Sequence, residues 1–181
     1  MHRIRLVAMC GALLLGGCAA QATYSLQQIG EQLPVGSWFE IAAPFSYPAG
    51  RDTLWFQDGA IVSSRALNLW TWHCSLDIHL SGRSDAARRY ENGGFLVSGI
   101  TEDHGEAWLD APVTRFGLLN DDIDYTVTVE FSLASPEHPE IKALRCARRF
   151  QDWSRERSLA LVDVRGQVGE FLAIRPANRQ N

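Results

Sequence analysis

Between Leu69 and Leu80, and again between Asp124 and Leu133, side-chain polarity alternates with a period of two. In the first stretch Trp70, Trp72, Cys74, Leu76, Ile78 and Leu80 hold the even positions, while Thr71, His73, Ser75, Asp77 and His79 hold the odd ones. In the second, Tyr125, Val127, Val129, Phe131 and Leu133 alternate with Thr126, Thr128, Glu130 and Ser132. A helix would scatter such residues around its circumference; an extended strand with one dry and one wet face collects them. The chain is therefore read as mainly antiparallel β. At 181 residues, 46% apolar and 21% charged, it carries one ordinary domain's core and is too apolar for a disordered chain. A net charge of −4 argues against nucleic acid as a partner.

Shorter signals fill in the rest. Leu26, Ile29 and Leu33 fit one face of a short helix over Tyr24 to Leu33, ended by Pro34. Ser37 to Ala42 reads as a strand, followed by a loop punctuated by Pro44, Pro48 and Gly50. Thr53 to Gln57 and Ala60 to Ser64 flank Asp58-Gly59, a two-residue hairpin signal. Ser81 to Gly94 reads as a loop. Phe95 to Thr101 and Glu106 to Leu109 are expected to pair about a turn at Asp103-His104-Gly105. Ile141 to Phe150 and Phe171 to Ile174 read as strands, and Leu161 to Val168 as a short helix closed by Gly169. The expected architecture is an antiparallel β-sandwich or open barrel with one or two short helices.

The N-terminus has a different character. Arg3 and Arg5 precede an apolar run from Leu6 to Leu15, which as a helix would cover only about 15 Å, half a bilayer's hydrocarbon. That is the pattern of an export signal rather than a membrane span. Its end, Leu15-Gly16-Gly17-Cys18, resembles the lipobox of bacterial lipoproteins. The resemblance implies removal of residues 1–17, diacylglyceryl modification of the Cys18 thiol and acylation of its new amine. Residues 18–23 would form a lipidated tether, and residues 24–181 a single periplasmic domain. Two or three acyl chains, at roughly 0.8 kcal/mol per buried methylene, hold a protein stably where one does not. Ala19, rather than Asp, after the cysteine points to the outer membrane in preference to the inner. Loss of Arg3 and Arg5 takes the net charge from −4 to −6.

Cys10 leaves with the leader and Cys18 carries lipid, so Cys74 and Cys146 remain. In an oxidising compartment they are expected to form a disulfide. Closing a loop of about 73 residues, it would contribute on the order of 4 kcal/mol by chain entropy. Trp70 and Trp72 share the parity of Cys74 and are expected to pack around the bridge; Trp38, Trp55, Trp108 and Trp153 are unassigned.

Several constellations invite chemistry and fail on geometry. His73 and His79 lie about 20 Å apart along one strand, too far to share a zinc ion, and Cys74 faces away. Asn120, Asp122 and Asp124 begin a calcium-loop spacing, but Tyr125 stands where glycine is needed and Phe131 where a glutamate is. Glu102, Asp103, His104 and Glu106 offer acid–base groups, yet a turn tip would leave them solvated and poorly tuned. No nucleophile elbow or phosphate loop is present. No catalytic, cofactor or metal residue is therefore assigned. Eight acids lie between Glu102 and Glu130, and six bases between Lys142 and Arg157, including Arg145, Arg148 and Arg149. Neighbouring strands of this kind neutralise each other across a sheet; the functional alternative is a basic stripe against anionic lipid or an acidic partner.

The body carries Tyr47-Pro48-Ala49-Gly50-Arg51, Trp55-Phe56-Gln57-Asp58-Gly59, His73-Cys74, Leu144-Arg145-Cys146, and Leu161-Val162-Asp163-Val164-Arg165 running to Gly169 and Phe171. In these pieces it resembles a group of proteobacterial lipoproteins with no established activity. The resemblance supports fold and location. The function expected is a lipid-anchored binding or envelope-structural module, its partners the membrane and an envelope protein. Alternatives are a lipoprotein hydrolase of envelope material, using the acidic segment, and a small-ligand or lipid-binding barrel.

Overall fold

A computed structural model describes residues 28–79, 86–106, 125–151 and 157–177. Eight antiparallel strands form one sheet in the order β10-β1-β7-β8-β9-β5-β3-β4, curled into a half-barrel. They are β1 (Trp38–Ile41), β3 (Thr53–Gln57), β4 (Ala60–Val62), β5 (His73–Ile78), β7 (Gly94–Glu106), β8 (Tyr125–Ala134), β9 (Ile141–Phe150) and β10 (Leu172–Arg175). A separate ribbon pairs β2 (Phe45–Tyr47) with β6 (Arg88–Tyr90). The expected antiparallel β architecture is present.

The concave face is the core. One row across it, Ile100, Phe131, Leu144, Leu76 and Leu54, runs through five neighbouring strands. The ribbon closes over this face: Phe45 stacks on Tyr90, meets Phe56 edge-on at 6.3 Å, and Tyr47 donates its hydroxyl to the Leu76 carbonyl at 2.7 Å. Helical backbone at 28–32 buries Ile29, and the C-terminal helix, Leu161–Val168, buries Val164 and Val168. Gln32 Oε1 accepts from the Leu161 N–H at 2.8 Å, tying the two helical segments together. Side chains thus fill the curl.

Asp58 and Gly59 take φ of 52° and 78°, the left-handed pair a tight hairpin requires. Gly169 ends the C-terminal helix at φ 56°, and a Cβ there would lie 2.6 Å from the Gly59 Cα. Conformation and crowding both demand glycine at this crossing.

Four expectations need correction. The strand around Cys74 starts only at His73, so Leu69 to Trp72 lies outside it. Phe45–Tyr47 and Arg88–Tyr90, both read as loop, are strands, because each supplies aromatic side chains to the lid and hydrogen bonds to the other. The turn at Asp103-His104-Gly105 does not exist: β7 runs straight through it, each residue paired on β8 from Thr101↔Glu130 to Glu106↔Tyr125. A long ladder partner overrides the local turn preference of Asp and Gly.

Two bulges then reassign faces. The register between β7 and β8 shifts between Val97 and Gly99. Phe95 and Val97 face the core, and after the extra residue Ser98 so do Ile100, Glu102 and His104, opposite Phe131, Val129 and Val127. A second shift, between Asp77 and Ile78, pairs Ile78 with Ile141 and leaves Lys142 as the extra, solvent-exposed residue. One inserted residue reverses side-chain parity downstream, which turns a carboxylate and an imidazole inward and the chain's one lysine outward.

Candidate functional site

Strand β5 carries the densest polar cluster of the sequence, and its members separate. Cys74 lies opposite Cys146 on β9, and their sulfurs are bonded across the middle of the sheet. His73 points away from the bridge, but it is buried rather than wet. Its ring lies 6.0 Å from that of Trp55, and Nδ1 sits 3.2 Å from the Thr71 carbonyl. Burial holds this imidazole below its usual range. Ser75 is likewise buried, opposite Trp55 and Arg145. Among the described residues no three His, Cys, Asp or Glu side chains are grouped to hold a metal ion.

Asp77 and Glu130 reach Arg145 from the strands on either side. Arg145 Nε donates to Glu130 at 2.6 Å, and its Nη1 donates to Asp77. One pair of the kind expected between the acidic and basic segments, Glu130 with Arg145, is present in this three-strand crossing. The hydrogen bond that Arg145 donates to Glu130 raises the guanidinium above its ordinary value, while burial raises the Asp77 carboxyl despite the arginine beside it. Asp52, Thr53, His79 and Lys142 extend the crossing into an open cleft of about 300 Å³. Asp52 and Asp77 line it together with Lys142 and Arg145, so the cleft offers no single-sign charge for a ligand.

The acid–base residues of β7 are divided by the sheet. Asp103 is exposed, whereas the Glu102 side chain is only 1% exposed, with its Oε1 2.6 Å from His104 Nε2. Strong solvation was expected at this position; the Ser98 bulge is the reason it is absent for Glu102. The pair is a close carboxylate–imidazole contact.

Sequence reasoning missed a polar group at the lid. Tyr90 donates its hydroxyl to Glu140 at 2.8 Å, and burial together with that carboxylate raises its phenol to about 12. Arg88 approaches the same carboxylate at 3.9 Å. Burial also raises the Tyr47 phenol. Tyr90 and Arg88 bolt the ribbon to the β8–β9 turn, and Tyr47 ties it to β5. Beside them a groove of about 350 Å³ runs between Trp38, Glu40, Gly93, Gly94, Pro136 and Glu137. Glu40 is engaged by Arg175 from β10, and the Trp38 ring lies over Gly94, where a Cβ would meet it at 3.2 Å. Tryptophan there covers bare backbone.

Trp72 is buried as expected, but Trp70 is 44% exposed. It precedes the strand in a turn, so the parity that assigned it to the core does not extend to it. Trp108, Trp153, Asn120, Asp122, Asp124 and Cys18 lie outside the described residues. Among the described residues no helix is long and apolar enough to cross a membrane. No protein-family model, curated protein or solved structure matches the chain.

Proposed function

We propose that this chain is a lipoprotein of the bacterial envelope, anchored through Cys18 in the outer membrane facing the periplasm, that acts as a binding or structural module. The observation that carries this reading is Leu15-Gly16-Gly17-Cys18 after a ten-residue apolar run. The bonded pair Cys74–Cys146 is in keeping with an oxidising compartment. The filled concave face favours recognition by the outer surface over enclosure of a small ligand, which demotes the lipid-binding barrel. A second reading, a hydrolase of envelope material, draws on one observation, the Glu102–His104 contact. Alanine at Glu102 leaves any phenotype of the gene intact under the first reading and abolishes it under the second.

The anchor is tested by fractionating cells that express the wild-type and Cys18→Ser chains. The wild type is expected in the membrane pellet after a high-salt wash, and the variant in the soluble exported fraction. A Cys18→Ser chain that stays in the washed pellet overturns the anchor. Crosslinking in intact cells, followed by identification of neighbours, then names the envelope partner.

A further inference from the structure

Two adjacent glycines make the floor of the groove beside the lid. Gly93 takes φ 103°, and a Cβ there would lie 2.3 Å from Glu137 Oε2 and 2.9 Å from His138 Nε2. At Gly94 the obstacle is the Trp38 ring, at 3.2 Å. The floor is therefore bare backbone, with a carboxylate against one glycine and an indole against the other. The turn that carries Glu137 is fixed on both sides. Ser135 Oγ accepts from the His138 N–H at 3.2 Å, and the Ile141 N–H donates to the His138 carbonyl at 3.1 Å. His138 Nε2 donates to the Asn92 carbonyl at 2.8 Å. The two carboxylates of the groove are treated differently. Glu40 accepts from Arg175 Nη2 at 2.7 Å, and Arg175 stands opposite Trp38 in the ladder. Glu137 is exposed and forms no ion pair among the described residues. The chain supplies its own cation to one carboxylate and leaves the other to solvent.

We propose that the groove between Trp38 and Glu137 docks an arginine or lysine side chain from a basic segment of a partner protein. Tryptophan attracts a cation to its ring face more strongly than other aromatic side chains do. A carboxylate within reach adds an ion pair and, for a guanidinium, paired hydrogen bonds. The groove's volume of about 350 Å³ is at the small end of ligand sites, which suits one long side chain rather than a folded element. A net charge of −4 draws a basic partner toward the chain. Because the turn is pinned before anything binds, little ordering opposes the contact. A sugar ring also stacks on an indole, but it leaves the Glu137 charge uncompensated, so charge favours the cation. The inference deepens the binding-module reading and rests on it, though not on the anchor, since the contact needs no acyl chain.

The test uses the full exported chain carrying Cys18→Ser, isotope-labelled so that NMR follows the indole N–H of Trp38. The probes are a short capped peptide of alternating arginine and serine and its citrulline counterpart, similar in shape but uncharged. The arginine peptide is expected to move the Trp38 signal saturably, with affinity falling as salt rises, and the citrulline peptide to leave it in place. Glu137→Gln should weaken binding about fivefold, and Arg175→Gln, which frees Glu40, should tighten it about threefold. Trp38→Phe, which still covers Gly94, should weaken binding. Glu170→Gln, at an exposed carboxylate after the C-terminal helix, should leave it unchanged. Equal affinity for the two peptides, or a Glu137→Gln chain that binds as the parent does while retaining its circular dichroism, overturns the proposal. So does a chitin oligosaccharide that moves the Trp38 signal where the peptide does not, which would identify a sugar platform. Displacement of the peptide by spermidine at matched ionic strength would identify a small-cation site and overturn it as well. Crosslinking and fractionation of the lipidated wild type report separately on the partner and on the anchor.

Discussion

Two rows of residues cross the same strands one position apart, on opposite faces. The inner row is Glu102, Val129, Cys146, Cys74 and Phe56; the outer row is Thr101, Glu130, Arg145, Ser75 and Trp55. Both use the same backbone ladder, so their difference is one of solvent. Inside, both cysteines are fully buried and covalently joined. Outside, Arg145 spans two carboxylates with half of its own side chain in water. The inner row gains from apolar surface withdrawn from water and from a constrained unfolded chain, neither of which salt screens. The outer row depends on charges that water and ions weaken. A sheet of this kind is held mainly from its inner side.

The contrast can be broken at its strongest point first. Replacing Cys74 and Cys146 together by alanine should cost on the order of 4 kcal/mol in denaturant unfolding. A loss near zero would mean that packing alone clamps the inner row. Arg145→Met should cost less, about 1 kcal/mol, because the pair is partly exposed. That deficit should shrink in high salt, and again in acid as Asp77, whose carboxyl burial raises, takes up its proton. A salt-independent loss comparable to the disulfide's would make the outer row part of the core. The smallest effect expected is at His73, whose imidazole is held neutral by burial. Its folded value lies below the unfolded one, so its contribution is full above about pH 6.5. It declines as pH falls from there through the lowered folded value. His73→Asn should flatten the stability profile in that window; an unchanged profile would show that His73 does not carry this titration.

Much of this was written in local pattern. Thr53–Gln57, Ile141–Phe150 and the helix Leu161–Val168 are legible because their periodicity is long or bounded by Asp58-Gly59, Pro139 and Gly169. Cys74 and Cys146 could be paired by counting, once the leader was set aside. The lid strands were not legible, since three residues beside proline or among arginines carry too few periods to read. Trp70 was misplaced because parity was extended past the residue where the strand begins. Glu102 and His104 were assigned to a solvated tip for want of any local sign of the Ser98 bulge.

By itself, then, the sequence determined that the chain makes a one-sided antiparallel sheet, where most strands lie and which two sulfurs meet. Alternating polarity acts within a few residues and needs no distant partner to be read. The tertiary structure alone decided which polar groups turn inward, which arginines find carboxylates and which tryptophan stays in water. Those outcomes depend on register between strands far apart in the chain, where a single extra residue reverses every face that follows.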